Sequence, residues 1–549
     1  MKPENTFILE GNIVDVVNRR IFKGRIEARD GVITAVTEAP VSANTYILPG
    51  LVDAHVHVES SMLIPSEFAR LAVPHGTVAS VSDPHEIGNV LGVEGVRYMI
   101  NNGRKVPFKF FFGAPSCVPA TPFETSGAVI TADDVGALLQ NDEVKYLAEM
   151  MNFPGVLAGD EQVGRMLAAA RKNGKPVDGH APGVLGKEAA QYADAGISTD
   201  HECFSKEEAI DKIKAGMKVQ IREGSAAKNF EELVSLLEEY PDKIMFCSDD
   251  KHPDNLVEGH INKVIARAIA KGYDKMDVLR AATYNPVKHY SLEVGLLQQG
   301  DAADMIVVDN LDDFNVLENY INGQLVALDG QSKIASVEEG TPNIFAARRI
   351  SAKDIRVAHR SDKMRVFKAF DGQLITGAFT ARPLVKDGHV VSDTTNDILK
   401  IVVVNRYEKA SPAVAFVNNF GLKQGAIASS VAHDSHNIIA VGTTDEELVN
   451  AINAVIENTG GISWVKETEV QVLPLPVAGI MSNDNGYTVA TKYAELDAKA
   501  KSLGTLLQSP YMTLSFMALL VIPHLKLSDK GLFDGDNFAF VDLFVKDGA

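Results

Sequence analysis

The sequence has little cysteine and a shortage of positive charge. Only Cys117, Cys203 and Cys247 are cysteines among its 549 residues, and they lie far apart. An odd number of widely spaced cysteines is unlike a disulfide framework and favours a reducing cytoplasm. The 53 Lys and Arg residues are outnumbered by 72 Asp and Glu, which gives a formal net charge of -19. Such a surface repels phosphate backbones, so we expect neither nucleic acid nor an anionic membrane as a partner.

Long apolar runs are also missing. The amino terminus carries Lys2, Glu4, Glu10 and Asp15, and therefore lacks the apolar run of a secretory signal. The longest apolar run, residues 511–522, is too short to cross a bilayer of about 30 Å as a helix, and we expect a buried core element there. With 46% hydrophobic and 23% charged residues, the chain is predicted to be a soluble, cytoplasmic protein of two to four domains.

Strand-like and helix-like patterns alternate between residue 51 and about residue 285. Eight short stretches indicate strands, at residues 51–57, 77–83, 108–114, 144–150, 175–180, 197–201, 217–223 and 243–249. Helical apolar spacing separates most of them, at residues 94–103, 161–174, 205–216 and 230–240. Eight strands alternating with helices predict an α/β fold, a (β/α)8 TIM-type barrel over residues 49–294, with the active site at the C-terminal ends of the strands.

The segments that flank this barrel have a different character. Residues 1–48 contain short strands with turns at Asn18–Arg19 and Asp30–Gly31, and residues 295–345 have the same strand-like pattern. Residues 350–549 predict a separate C-terminal α/β domain. Its expected elements are strands at 400–407, 413–420 and 438–442, and a helix at 445–461 closed by Gly460 and Gly461.

Two histidines, His55 and His57, end the first predicted strand. Residues i and i+2 of a strand point to the same face, so both imidazoles can reach one metal ion. Two histidines on a strand are more often polar edge residues, so the pair alone is a weak signal. What strengthens it is that metal-capable side chains also follow five other strands: Asp83, His85 and Glu86, then Glu149, then His180, then His201 and Glu202, then Asp249 and Asp250.

The C-terminal ends of barrel strands meet at one rim. The sequence therefore predicts a single metal site there, whereas structural polar residues would be scattered over strand starts, helices and loops. For single members a structural role stays open, since Glu202 and His85 could be hydrogen-bond partners of metal ligands.

Sequence blocks over nearly the whole chain carry a family resemblance. They are PGLVDAHVHVESSML (49–63), SDPHEIGNV (82–90), LAEMMNFPGV (147–156), DGHAPG (178–183), TDHEC (199–203), CSDDKHP (247–253), AATYNPVKHYSL (281–292), GDAADMIVVD (300–309) and GLKQGAIASSVAHDSHNIIAVG (421–442). With them the chain resembles the amidohydrolase superfamily, and more narrowly the bacterial adenine deaminases. The H-x-H pair and the terminal Asp mark only the superfamily, whereas ESSML, AEMMNFPG and AHDSHN are far more specific.

The resemblance implies a fold, a reaction and cofactors. In amidohydrolases the segments that match residues 1–48 and 295–345 pair to form a small β domain. The implied reaction is metal-dependent hydrolytic deamination of adenine, a small purine base, to hypoxanthine and ammonia. The implied cofactors are two divalent ions, Mn²⁺ or Fe²⁺ in preference to Zn²⁺, although histidine and carboxylate ligands accept all three. A homo-oligomer, a dimer or larger, is common for such barrels.

The fourth strand offers two residues that could bridge the metals. Many binuclear amidohydrolases use a carboxylated lysine there, and Lys145 is the only lysine of this strand. Four strand residues separate it from Glu149, roughly 13 Å at about 3.3 Å per residue, which puts Glu149 at the rim and Lys145 near the bottom. We therefore expect Glu149 to be the bridge, as the resemblance also implies; an exposed, salt-bridging Glu149 is the alternative.

A ligand set and a chemistry follow. One metal is expected on His55, His57 and Asp249, the other on His180 and His201, with Glu149 joining them. Two cations would activate a water for attack on C6 of adenine. Asp249 is the expected base, which takes the proton and later helps deliver it to the leaving amine.

Attack on the ring also requires an acid that protonates a ring nitrogen. Glu86 is the first candidate, with Asp250 and Glu202 as weaker ones. Ser60 is a candidate substrate contact, and so are His433 and His436 of the AHDSHN loop; a capping role for Ser60 and an ordinary polar turn for the loop are equally open.

Two other function classes compete. A cyclic amidohydrolase that opens a dihydropyrimidine or hydantoin ring would also use activated water on an sp² carbon, and Glu149 together with the long C-terminal domain is what separates the two. An inactive barrel scaffold would be expected to lack metal ligands, and here all six are present.

Overall fold

A computed structural model describes residues 6–545; the first five residues, with Lys2 and Glu4, and the last four lie outside the described residues. Four strands come first: β1 (Thr6–Asp15), β2 (Arg20–Arg29), β3 (Val32–Glu38) and β4 (Tyr46–Pro49). Both predicted turns are present, and at the second Asp30 and Gly31 have φ angles of 49° and 85°. An Asp-Gly pair suits this left-handed backbone between antiparallel strands.

Eight parallel strands follow, each inside the bounds that the sequence predicts. They are β5 (Leu51–Val56), β6 (Thr77–Ser82), β7 (Lys109–Ala114), β8 (Val144–Met150), β9 (Val177–Gly179), β10 (Thr199–Asp200), β11 (Lys218–Arg222) and β12 (Ile244–Cys247). A five-stranded sheet contains β5 to β9, and a three-stranded sheet contains β10 to β12. Backbone hydrogen bonds of 2.9 Å connect the two sheets, from Ser198 to Val177 and from Asp249 to His55. Together they form a TIM-type domain.

Helices cover the outside of these strands. They are α1 (Pro65–Ala72), α2 (His85–Leu91), α3 (Val93–Gly103), α4 (Ala132–Leu139), α5 (Phe153–Ala158), α6 (Glu161–Lys172), α7 (Gly186–Asp194), α8 (Lys206–Lys214), α9 (Phe230–Leu233), α10 (Pro253–Glu258), α11 (Ile261–Ala270), α12 (Lys275–Ala281) and α13 (Tyr284–Tyr290). The side chains of Thr131, Asp160 and Ser205 accept backbone N–H groups at the starts of α4, α6 and α8.

One predicted helix of this domain, residues 230–240, is wrong in part. Regular α-helix ends at Leu233, and a tighter 3-10 turn continues over Val234–Leu237. Leu233, Leu236 and Leu237 are nevertheless buried. The apolar spacing therefore identified the face that packs against the core, although it did not distinguish the two kinds of helical turn.

Strands from before and after the TIM-type domain share one sheet. The later strands are β13 (Met305–Val308), β14 (Val316–Ile321), β15 (Gln324–Leu328) and β16 (Gln331–Ser332), and the sheet order is β16-β15-β14-β13-β4-β1-β2-β3. The antiparallel pair β4 and β13 joins the two halves, with Pro49 opposite Met305. Buried Ile13, Ile26 and Ile47 pack with Met305 beneath the sheet, so chain segments more than about 250 residues apart share a core.

The C-terminal region is built on a second large sheet. Its strands and helices are β17 (Val357–Ala358), β18 (Met364–Lys368), β19 (Gly377–Ala381), β20 (Leu384–Lys386), β21 (His389–Val391), β22 (Ile398–Val404), β23 (Ala413–Asn418), β24 (Ala426–Ser429), β25 (Ile438–Gly442), β26 (Gly461–Lys466), β27 (Glu469–Pro474), β28 (Leu525–Ser528), β29 (Gly531–Asp534), β30 (Ala539–Phe540), α14 (Asp445–Glu457), α15 (Gly486–Ser502) and α16 (Pro510–Phe516). The sheet order is β19-β18-β23-β22-β25-β24-β26-β27. Buried Ile452 and Val455 of α14 pack on small residues of this sheet, among them Ala428 and Ala440.

The predicted C-terminal elements are present with small shifts. The three expected strands correspond to β22, β23 and β25, and the expected helix corresponds to α14. This helix ends at Glu457 rather than at the glycine pair, because Gly460 and Gly461 have φ angles of 125° and 146° and lead into β26.

The longest apolar run, residues 511–522, forms most of α16 and the turns after it. All ten residues from Tyr511 to Leu520 are buried. Within residues 6–545 no helix combines the length and apolar character that a membrane crossing needs. The run instead brings Phe516 and Leu519 to the rim of the TIM-type domain.

Candidate metal centre and catalytic cavity

The ends of β5 and β12 bring three metal-capable side chains together. The Nε2 atoms of His55 and His57 lie 3.2 Å apart. One oxygen of Asp249 lies 3.2 Å from Nε2 of His57 and 3.6 Å from Nε2 of His55. All three side chains are buried, so they form a compact group of nitrogen and oxygen atoms.

Glu149, at the end of β8, joins this group to a second one. Its Oε2 lies 2.9 Å from Nδ1 of His180 and 3.1 Å from Nε2 of His201, while its Oε1 lies 3.4 Å from Nε2 of His57. Lys145, at the other end of β8, forms an ion pair of 3.0 Å with Glu293. The carboxylate, and not the lysine of this strand, therefore contacts both groups of histidines.

The donor set fits divalent cations. Nδ1 of His57 lies 3.2 Å from the carbonyl oxygen of Asp83. When Nδ1 donates its proton in this hydrogen bond, Nε2 of the neutral ring carries a lone pair that faces Glu149 and Asp249. Lone pairs and carboxylate oxygens that face one another in a buried site need a positive charge between them. Ligand atoms about 2.1 Å from a common ion lie about 3.0–3.4 Å apart, close to the 3.2–3.6 Å separations among His55, His57 and Asp249.

Both central carboxyl groups are held in the anionic form. Burial alone would raise the pKa of Glu149, but the neighbouring His180 and His201 outweigh burial and hold that pKa well below its ordinary value. Burial is opposed at Asp249 as well, first by Arg222 and then by His55, and its pKa is also well below the ordinary value. Anionic oxygens are the form that binds metal.

Arg222, at the end of β11, is a residue of this site that the sequence interpretation missed. Its Nη1 donates to Asp249 at 2.6 Å, and its Nη2 donates to Glu202 at 3.1 Å. Glu202 Oε1 in turn lies 3.6 Å from ring nitrogens of both His180 and His201. One signal could have found Arg222: it is a charged residue next to the C-terminal end of a predicted strand that contributed no residue to the predicted metal site.

His85 connects the metal-capable groups to the C-terminal region. Its Nδ1 lies 3.2 Å from Asp83 and 3.4 Å from Glu149, and its Nε2 lies 3.9 Å from Asp434. Asp434 belongs to the AHDSHN loop that follows β24. The loop therefore reaches the rim, as one of the two interpretations of its sequence expected.

Glu86 lies at the centre of a second polar group. The Ser60 hydroxyl lies 3.0 Å from Glu86 and 2.5 Å from Asp250. One hydroxyl has one proton, so a second proton must be shared if both contacts are hydrogen bonds. Burial raises the pKa of Glu86 above its ordinary value, although His433 opposes the shift. Glu86 therefore lies where a carboxyl group is readily kept protonated.

Two histidines of the AHDSHN loop approach Glu86 from the C-terminal region. Nδ1 of His433 lies 3.3 Å from Glu86, and the His433 ring stacks on Phe516 at 4.8 Å. His436 Nε2 lies 3.7 Å from the other oxygen of Glu86. His433 lines the cavity described next, whereas His436 is fully buried behind it.

The two polar groups share one space, the catalytic cavity, which encloses about 310 Å³. The cavity walls include Asp250, His433 and Asp434, and also apolar side chains that the sequence interpretation did not single out: Met151, Leu374, Phe516 and Leu519. Polar groups of the TIM-type domain thus face a partly apolar cover from the C-terminal region.

Lys212 supports the loop after His180 and gives a prediction about stability. This fully buried lysine donates to the carbonyl of Ala181 at 2.6 Å and to Glu208 at 2.8 Å, and it lies 3.1 Å from Asp200. Lys212→Met should lower the free energy of unfolding by about 3–5 kcal/mol, because two buried carboxylates lose their counter-charge. Urea denaturation measures the change.

The matched control is Lys214→Met on the same helix, where the side chain is exposed. This control should change the free energy of unfolding by no more than about 0.5 kcal/mol. Equal stability of the two variants would show that the buried pairs around Lys212 contribute nothing net.

Comparison with known proteins agrees with these features. Residues 46–326 match the model of the amidohydrolase family, and residues 373–539 match that of the adenine deaminase C-terminal domain. The chain is 56% identical to an adenine deaminase of Salinibacter ruber and 52% identical to one of Methanosarcina barkeri, each over 98% of this chain and 99% of the relative. It is 45% identical to an adenine deaminase of Borreliella afzelii over 98% of this chain and the whole relative.

Proposed function

The chain belongs to the adenine deaminase family of the amidohydrolase superfamily, and from this premise we propose how its residues hydrolyse adenine to hypoxanthine and ammonia. The observation that carries the proposal is the contact of Glu149 with histidines from β5, β9 and β10, next to the equally buried Asp249. Anionic and imidazole donors collected at strand ends are what metal-assisted hydrolysis requires.

The proposed metal ligands are those expected from the sequence: His55, His57 and Asp249 for one ion, His180 and His201 for the other, and Glu149 for both. Mn²⁺ or Fe²⁺ is proposed in preference to Zn²⁺. When bound, such ions lower the pKa of a water molecule and so supply a nucleophile at neutral pH. Arg222 orients this set, because it fixes the second oxygen of Asp249 and leaves the first facing the histidines.

Asp249 is the proposed base. Its Oδ1 faces the imidazoles while Arg222 holds its Oδ2, so one oxygen is left to accept a proton from the attacking water and pass it to the amine that leaves C6. Its low pKa means that the carboxylate starts unprotonated at neutral pH.

Glu86 is the proposed acid that protonates a ring nitrogen of the purine. Burial raises its pKa above the ordinary value, which favours the protonated form that an acid needs. Asp250 and His433 line the cavity, and Ser60 contacts Glu86 and Asp250 from behind the wall; we propose that these three residues contact the base. Glu202 lines the cavity but is paired with Arg222, so we propose a weaker contact with the base for it, whereas His436 does not line the cavity and is proposed to act one layer behind.

The finer architecture is part of the proposal. We propose that β5 to β12 close into one (β/α)8 barrel over residues 49–294, because hydrogen bonds link β9 to the residue before β10 and the residue after β12 to β5. Residues 1–48 with 295–345 would be the small β domain, and 350–549 the C-terminal domain. We also propose a homo-oligomer in the cytoplasm; Cys117, Cys203 and Cys247 are all free and buried, as a reducing compartment allows.

The test is ammonia release from adenine by the purified enzyme, before and after metal removal. We expect turnover of adenine, a loss of more than about 100-fold after dialysis against a chelator, and recovery with Mn²⁺ or Fe²⁺. Hydantoin and a dihydropyrimidine should not be opened. Ring opening of these amides without ammonia release from adenine would favour the cyclic amidohydrolase, and no turnover of any of them by metal-loaded enzyme would favour the inactive scaffold.

A further inference from the structure

The catalytic cavity is lined almost entirely by buried side chains. Of its wall residues only Asp250 has a half-buried side chain, and every other one is buried. A purine base cannot reach Glu86 or Asp249 unless part of this wall moves.

A larger, mostly apolar cavity lies against one part of this wall, and we name it the vestibule. It encloses about 1290 Å³, and its walls include Phe123, Met151, Phe204, Ile375 and Phe538. Phe204, Ile375 and Phe538 are 48%, 37% and 46% exposed. Three large apolar side chains exposed around one depression mark a binding surface more often than chance exposure.

The vestibule and the catalytic cavity share their partition. Met151 lines both. Two segments of the C-terminal region contribute neighbouring residues to the two sides: Leu374 faces the cavity and Ile375 the vestibule, and Leu519 faces the cavity and Val521 the vestibule. Among residues 6–545, Met151 is the one side chain that lines both spaces, and a thioether with three rotatable bonds changes conformation easily.

We propose that the vestibule is the entrance through which adenine reaches the catalytic cavity, with Met151 as the side chain that moves aside. This inference rests on the proposed function. A flat, uncharged aromatic base is suited to walls of Phe and Ile. Among the described residues none that lines the vestibule carries a charge, so the entrance also disfavours nucleotides, whose phosphate groups would lose water without gaining a cation. The vestibule would thus select the free base before any catalytic group is reached.

The test blocks the vestibule with a reagent on one engineered thiol. Phe204→Cys and Phe538→Cys each place one thiol in the vestibule wall, one in each structural region, and each full-length variant is labelled with a bulky fluorescein maleimide. The three native cysteines are buried, and burial raises the pKa of Cys117 to about 11 and those of Cys203 and Cys247 well above the ordinary value, so they should not react. Leu506→Cys, at a site that is 95% exposed and does not line the vestibule, is the matched control.

We expect labelling to lower kcat/KM for adenine by at least about tenfold in both vestibule variants, relative to the same variant unlabelled, and by less than about twofold in the control. A small methylthio label at the same positions should have little effect, because the block depends on size. Labelled vestibule variants that keep their activity would overturn the proposal. Loss of activity with an altered molecular mass in light scattering would also overturn it, in favour of an interface between copies of the chain. Ammonia release by the unlabelled variants separately tests the proposed function.

Discussion

Glu149→Gln is expected to lower bound metal and adenine turnover together. The amide keeps the shape of the side chain but removes the charge that faces His57, His180 and His201. Changes one layer outside a metal site typically cost 10- to 100-fold in affinity or activity, so removal of the group that contacts both histidine sets should cost at least about 100-fold. Metal per chain is measured by mass spectrometry, and turnover by ammonia release.

The matched control is Glu161→Gln, an exposed glutamate in the first turn of α6, which should retain both metals and full turnover. Thermal unfolding of both variants without added metal shows whether the fold survives. A folded Glu149→Gln enzyme that keeps two metals and full activity would rule out Glu149 as the bridge.

Most of the TIM-type domain could be predicted because two simple physical patterns coincide in it. Strands β5 and β6 are buried at every position, and apolar or small residues predominate in both. Each is followed by a segment with helical spacing and a clear start, as with Ser205 before α8. The closing contacts between sheets were beyond the sequence pattern, since the hydrogen bond from Asp249 to His55 joins residues far apart in the chain.

The metal-capable side chains could be placed for a related reason. The C-terminal ends of barrel strands meet at one rim, and His180 and His201 directly follow the short strands β9 and β10, so their position at the rim follows from local sequence. Contacts between the two structural regions do not follow in this way. Phe516 and Leu519 belong to an apolar run, and this pattern predicts only that they are buried. The sequence around them does not indicate that they cover the catalytic cavity. Arg222 was missed because arginine is not a metal ligand, and its partners lie on other strands.

Two buried glutamates compete for the role of ring acid, and their variants should separate them. Glu59 follows β5 closely, and burial together with Glu86 raises its pKa to about 8; however, its Oε1 accepts the backbone N–H of Ile87, and it does not line the cavity. Glu86 does line the cavity and contacts Ser60 and His433. A high pKa alone therefore does not identify the acid, whereas access to the substrate does.

Glu86→Gln should accordingly lower kcat by about 10²- to 10⁴-fold, the usual contribution of a positioned acid, while both metals remain bound. Glu59→Gln is the matched control, and its kcat should stay within about fivefold of the unsubstituted enzyme. The substitution removes a charge that burial already disfavours, and it leaves the proton donor Glu86 in place. Steady-state turnover and metal content are measured for both, with Asp250→Asn and Glu202→Gln alongside. Near-normal kcat in Glu86→Gln would contradict the assignment of Glu86 as the acid. If one of the other three variants then lost most of its kcat, the acid role would pass to the residue changed in that variant, because loss of the group that protonates the ring must lower kcat.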